Sequence, residues 1–208
     1  DGVYQTYVTF RINKKVRLDS LSNLKFKVRL KSYLDNDLGY FDGELVENHK
    51  QNYSPSFRVE LDYKDQLNIE PSYSLNYSES NYKNEGFRDQ KSLSHQFGLH
   101  LSWDITDRLE WENRWTYAYN PSVASSFQND AYIWNSTLNY SMFNDKAVLA
   151  IKAYDLLDQN TNATQNIGDN FVRNSRSLVL KRYIMVSFSW KFNTLGAKGK
   201  TRDYRFHG

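Results

Sequence analysis

The chain has 208 residues, room for one ordinary domain, and it combines a nearly balanced charge of +3 with 16% aromatic residues. No basic stripe accompanies a nucleic-acid motif, which argues against nucleic-acid binding, and the absence of cysteine excludes disulfides, thiolate metal sites and thiol nucleophiles. Apolar stretches are no longer than about Ala147-Val148-Leu149-Ala150-Ile151, far short of the roughly 20 residues of a membrane helix, so a membrane crossing would have to use strands.

Period-two alternation predicts nine strands, each with an apolar face assigned to lipid. The first shows Tyr4, Thr6, Val8, Phe10 and Ile12 outward. The second shows Leu24, Phe26, Val28, Leu30 and Leu34, with Lys25, Lys27, Arg29 and Lys31 behind them. The third presents Phe57, Val59, Leu61 and Tyr63 against Ser56, Arg58, Glu60 and Asp62; the fourth presents Leu67, Ile69, Tyr73, Leu75 and Tyr77 against Asn68, Glu70, Ser72, Ser74 and Asn76. Phe97, Leu99, Leu101, Trp103 and Ile105 mark the fifth, and Leu109, Trp111, Trp115, Tyr117 and Tyr119 the sixth. The seventh shows Tyr132, Trp134, Leu138, Tyr140 and Met142, and the eighth Ala147, Leu149, Ile151 and Ala153. The ninth, Tyr183 to Phe192, puts Ile184, Val186, Phe188, Trp190 and Phe192 on one face.

Short turns at Lys64-Asp65-Gln66, Thr106-Asp107-Arg108 and Asn144-Asp145-Lys146 alternate with long polar connections at 35–52, 79–92, 120–130 and 156–177. Outer-membrane barrels have this asymmetry, with turns in the periplasm and loops outside. The fold expected is therefore an all-β, antiparallel transmembrane β-barrel in the bacterial outer membrane. A soluble β-sandwich also alternates. It rarely pairs such long strands with inner faces carrying Lys25, Lys27, Arg29, Lys31, Glu110, Glu112 and Arg114. Tyr and Trp favour membrane–water interfaces. A girdle is expected at Tyr53, Tyr77, Tyr119 and Tyr132 on the loop side, and at Tyr63, Trp103, Trp111, Tyr140, Trp190 and Phe192 on the turn side.

The first strand would run inward from outside, whereas complete barrels of this type have even strand counts with both ends in the periplasm. A preceding N-terminal part is therefore expected. The start Asp1-Gly2-Val3 lacks methionine and an apolar signal, so an export signal is expected to be removed or upstream.

Two stretches resemble the C-terminal end of TonB-dependent outer-membrane receptors of the outer membrane β-barrel type. One is Ala153-Tyr154-Asp155-Leu156-Leu157-Asp158-Gln159-Asn160, similar to a penultimate strand entering its loop; the other, Arg182 to Phe192, is similar to the closing strand. The resemblance implies that these nine strands belong to a larger barrel of about 22 with an N-terminal plug. It implies energy-coupled nutrient uptake, with outer-membrane lipid, a missing barrel and plug segment or partner chain, and a TonB-type coupler or other envelope proteins as partners. The alternative is a non-transporting scaffold of an assembly, secretion or surface-display complex. Residues 1–192 are then barrel and 193–208 a basic periplasmic tail holding Lys198, Lys200, Arg202 and Arg205.

Pairing the second and third strands in the simplest register sets Lys25 opposite Asp62 and Lys27 opposite Glu60, with Glu60 beside Glu70. With Arg29, Lys31 and Arg58 these form an expected lumen-facing charge ladder, structural or selective for an anion or plug. Loop aromatics Tyr40, Phe41, Tyr82 and Phe87 are candidates for ligand contact. His49, His95, His100 and His207 are the catalytic candidates; Ser94 and His95 point oppositely, and His100, Ser102 and Asp104 share a face without a nucleophile elbow. No enzyme activity, cofactor or metal is expected. Asn160, Asn162, Asn166, Asp169 and Asn170 lack the spacing of a calcium loop.

Overall fold

A computed structural model describes residues 2–41, 43–83, 89–122, 128–160, 163–167, 172–176 and 180–192. Its strands are β1 (Tyr4–Arg17), β2 (Asn23–Phe41), β3 (Glu44–Tyr63), β4 (Leu67–Tyr82), β5 (Gln90–Thr106), β6 (Leu109–Tyr119), β7 (Asp130–Met142), β8 (Ala147–Tyr154), β9 (Ala163–Ile167), β10 (Val172–Arg176) and β11 (Tyr183–Trp190). Nine of them form one antiparallel sheet in the order β1-β2-β3-β4-β5-β6-β7-β8-β11. These are the nine expected strands. β9 and β10 pair only with each other, inside the connection expected at 156–177. Among the described residues β1 and β11 are the sheet's edges and do not pair with one another.

A second sheet, which a sandwich needs to cover its apolar faces, is missing among the described residues apart from the small β9–β10 pair. Val46, Ala131, Ala147 and Ala150 are the buried apolar residues described, while Val8, Phe10, Phe97, Ile184, Val186 and Phe188 lie open. Trp and Phe would fill a sandwich core, so the large apolar side chains here face a medium outside the protein.

Turn chemistry sets the short ends. Lys64 and Asp65 both have positive φ, 52° and 51°, and Gln66 donates its N–H to the Tyr63 carbonyl at 3.1 Å, the mirror-image turn whose twist matches antiparallel strands. In the β1–β2 connection the Asp19 carboxylate accepts the Leu21 N–H at 2.8 Å, and this bond holds the carboxyl below its ordinary pKa. Ser22 is fully buried and its hydroxyl accepts the Lys64 N–H at 3.3 Å, tying the first turn to the second.

The outer connections differ from expectation. Most of 35–52 and much of 79–92 are strand rather than loop: β2 has 19 residues and β3 has 20. About 9–11 residues cross a bilayer, so β2 and β3 continue as a ribbon well beyond it. The cause is local. Phe41 pairs with Glu44, and Gly43 between them has a φ of 86° that glycine adopts freely. Salt bridges from Glu47 to Lys83 at 2.8 Å and from Glu79 to Lys91 at 2.9 Å cross-link the extension.

The same tip corrects the β2–β3 register. Lys25 stands opposite Glu60 and Lys27 opposite Arg58, while Asp62 faces Asn23, a shift of two residues from the simplest pairing. An even shift leaves every side chain on its expected face.

Candidate functional site

The polar face is the surface on which chemistry can occur, and its charges are sorted. On β2 and β3, Lys25 bonds both Glu60 and, at 2.9 Å, Asp62, while Lys27 reaches Glu60 at 2.7 Å. The ion pairs are thus shared between direct and diagonal neighbours. Arg58 lies 3.5 Å from Glu70, which His100 also approaches at 3.6 Å. Leu61 pairs with Ile69, which leaves Glu60 and Glu70 as neighbours on this face. Arg29 and Lys31 share the face but stand opposite Ser56 and Ser54 rather than acids.

Farther along the sheet the sign reverses. Asn139 donates to Glu110 at 3.2 Å and to Glu112 at 3.1 Å, and Ser102 donates to Glu110 at 2.9 Å. Cations crowd β1 and β2, whereas carboxylates gather on β6. A polar solute moving along this surface meets a lateral field.

Glu60→Gln is expected to lower barrel stability by about 1 kcal/mol, because Glu60 serves two cations and each cross-strand opposite-charge pair contributes roughly 0.2–1 kcal/mol. Urea unfolding in lipid vesicles with Lys25→Met, Glu60→Gln and both together measures the coupling. Strict additivity would show that the pair contributes nothing.

The apolar face holds the expected girdle residues. Tyr53 pairs with Tyr77 and Trp103 with Trp111; Tyr63 lies across from Leu67, Tyr140 from Leu109 and Leu149. Tyr132 stacks on Tyr117 with ring centroids 4.5 Å apart, Tyr119 on His95 at 5.9 Å, and Trp190 contacts Phe143 at 5.3 Å and Phe192 at 6.5 Å.

Alternation alone missed three polar residues on that face. Asn113 lies between Trp111 and Trp115, is 1% exposed, and accepts the Trp134 indole N–H at 3.1 Å. Trp111 donates to Ser136 at 3.0 Å, and the Tyr73 hydroxyl and His95 Nδ1 are 2.9 Å apart. In hydrocarbon a lone N–H or O–H costs several kcal/mol, so internal pairing lets these rings sit away from water. The clue was Asn113 and Ser136 interrupting two otherwise apolar alternations.

The four loop aromatics do not converge. Tyr40 is 79% exposed near the ribbon tip and pairs with Leu45, on the face of Leu34. Tyr82 pairs with Asn48 on the opposite face, and its backbone N–H donates to Asp89 at 3.1 Å. Phe41 ends β2, and Phe87, like the tail at 193–208, falls outside the described residues. His95 lies on the apolar face and His100 on the polar face beside Ser102 and Asp104.

The stretches around Asp155 and Arg182 form one unit. Asp155, 5% exposed, has a positive φ of 46°; its carboxylate accepts the N–H groups of Gln159 at 3.2 Å and Asn160 at 3.0 Å. Its own N–H donates to Asn135 Oδ1 at 2.9 Å. Arg182 donates its N–H to Asp158 at 3.1 Å and its guanidinium to the Leu156 carbonyl at 3.3 Å, and Tyr154 stacks on Tyr183 at 4.7 Å.

A sequence model described as "Outer membrane protein beta-barrel family" matches residues 46–190. No curated protein matches the chain. Among solved structures, one described as "NanC porin structure in rhombohedral crystal form" is similar at 14% identity and a TM-score of 0.40, over 92% of this chain and 98% of that one. So distant a likeness supports no comparison of sites.

Proposed function

The chain belongs to the outer membrane protein beta-barrel family and stands in the bacterial outer membrane; from that premise we propose that it forms the wall of a TonB-dependent type of receptor for energy-coupled nutrient uptake. The supporting observation is the polar face. Its cationic β1–β2 region, its carboxylates on β6 and the hydroxyls of Ser56 and Ser74 offer hydrogen bonds to a solute, and a merely structural wall does not need them. The coupled type rests on the resemblance of the Asp155 turn and the closing strand to receptor C-termini.

A scaffold role is favoured by a different observation. Leu38, Tyr40 and Leu45 lie exposed on one face of the β2–β3 ribbon where it extends past the Tyr53–Tyr77 pair. A contiguous apolar face outside the bilayer suits a protein partner.

Nutrient-limited growth of cells lacking this protein, compared with cells lacking the TonB-type coupler, separates the two. Equal dependence on both supports the receptor. Unchanged coupled uptake together with stoichiometric co-purification of other barrels supports the scaffold and overturns the receptor.

A further inference from the structure

We propose that the lumen face of β1 and β2 carries a binding track for a small multivalent oxyanion, a polycarboxylate or polyphosphate, centred on Arg11 and Arg29. The inference names the substrate class of the receptor reading and rests on it.

The register makes the argument. Arg11 stands directly opposite Arg29, and Lys15 directly opposite Lys25. Like charges opposed across antiparallel strands destabilise the pairing, because their Cβ atoms approach to about 4.5–5.5 Å. The lower pair has compensation, since Lys25 bonds Glu60 and Asp62. The upper pair has none among the described residues: Arg29 faces Ser56, while Lys31 stands between Thr9 and Ser54. On the neighbouring strand Glu60 lies four residues from Ser56. At about 3.3 Å per residue that is roughly 13 Å, beyond the screening distance of about 8 Å in physiological salt.

Two forked guanidinium groups and an ammonium therefore sit over small hydroxyl side chains. Guanidinium forks bind carboxylate and phosphate oxygens in pairs. Thr9 and Ser56 add donors while leaving room above the sheet. Toward the turns the same strand pair forms an open depression lined by Lys15, Arg17, Ser20 and Asn23, so the positive surface continues along the barrel axis. A small anion fits better than a broad acidic protein surface, because the acids of the lower ladder would repel an extended polyanion.

The full-length protein in detergent, titrated calorimetrically with citrate and with tripolyphosphate at about 0.15 M salt, tests the assignment and tells the two anion types apart. Saturable binding of either, weakened about tenfold or more in Arg11→Gln/Arg29→Gln/Lys31→Gln and retained in Lys146→Gln, is the expected result. Heat-modifiable gel migration shows that each variant is folded. Binding retained by the folded triple variant would overturn the proposal. So would the absence of binding in the wild type. A triple variant that unfolds more easily, with no anion bound by the wild type, would instead assign the track to an acidic segment of the protein itself. If coupled uptake persists in any of these negative cases, only the anion assignment falls and the receptor reading stands.

Discussion

Leu101→Arg is expected to destabilise the folded barrel by about 2–4 kcal/mol, the cost of an arginine on the lipid face near the bilayer midplane. Leu101 lies on the apolar face between Phe97 toward the loops and Trp103 toward the turn, and it pairs with Ile69 and Asn113. The next residue supplies the control. Ser102 faces the lumen, donates to Glu110 and stands opposite Glu112. Ser102→Arg is therefore expected to change stability by less than about 1 kcal/mol, since its charge meets carboxylates and solvent. Urea titration of both variants in lipid vesicles, followed by tryptophan fluorescence, makes the comparison. Equal costs at the two positions would contradict the assignment of lipid and lumen faces.

Asp155→Ala is expected to cost about 3 kcal/mol, because hydrogen bonds to a buried charged acceptor contribute about 1.5–3 kcal/mol and their loss leaves donors unpaired. Two backbone N–H groups, of Gln159 and Asn160, lose their acceptor, and the left-handed backbone at Asp155 loses a residue type that tolerates it. The consequence should reach beyond the turn. Leu156 donates its N–H to the Trp134 carbonyl, Gln159 accepts the Tyr132 N–H and Asp158 accepts that of Arg182, so the turn seals the top of β7 and leads into β11. Hydrogen exchange should show faster opening at Tyr132, Leu156 and Arg182 with little change at β2 and β3. Unchanged protection at those three positions would remove the turn from this role. Asp155→Asn should recover part of the loss, since the amide oxygen still accepts.

The resemblance around Asp155 acquires a physical content here. Residues far apart in the chain, Asn135, Asp155 and Arg182, meet because β8 stops at Tyr154 while β7 continues toward its own loop. A strand that loses its neighbour must have its backbone groups satisfied by something else. The loop start fills that need.

The Asp42-Gly43 pair could have been recognised in the sequence, because an Asp-Gly dipeptide flanked by alternating residues is a strong short hairpin signal. The polar composition around it favoured a loop. That choice moved the β2–β3 pairing by two residues and made diagonal ion pairs look direct. Asn113 was harder to place: an asparagine on a lipid face is unfavourable, and the Trp134 indole that bonds its amide oxygen comes from another strand.

The amino-acid sequence by itself determined which side of each strand is apolar, where the three short turns at 64–66, 106–108 and 144–146 fall and that nine strands cross together, because side-chain alternation and turn preference are local properties. Only the tertiary structure decided which charges meet, that Arg11 opposes Arg29, and that Tyr40 and Tyr82 part to opposite faces. Those facts depend on register, and register is set by hairpin tips and neighbouring strands acting across the whole sheet.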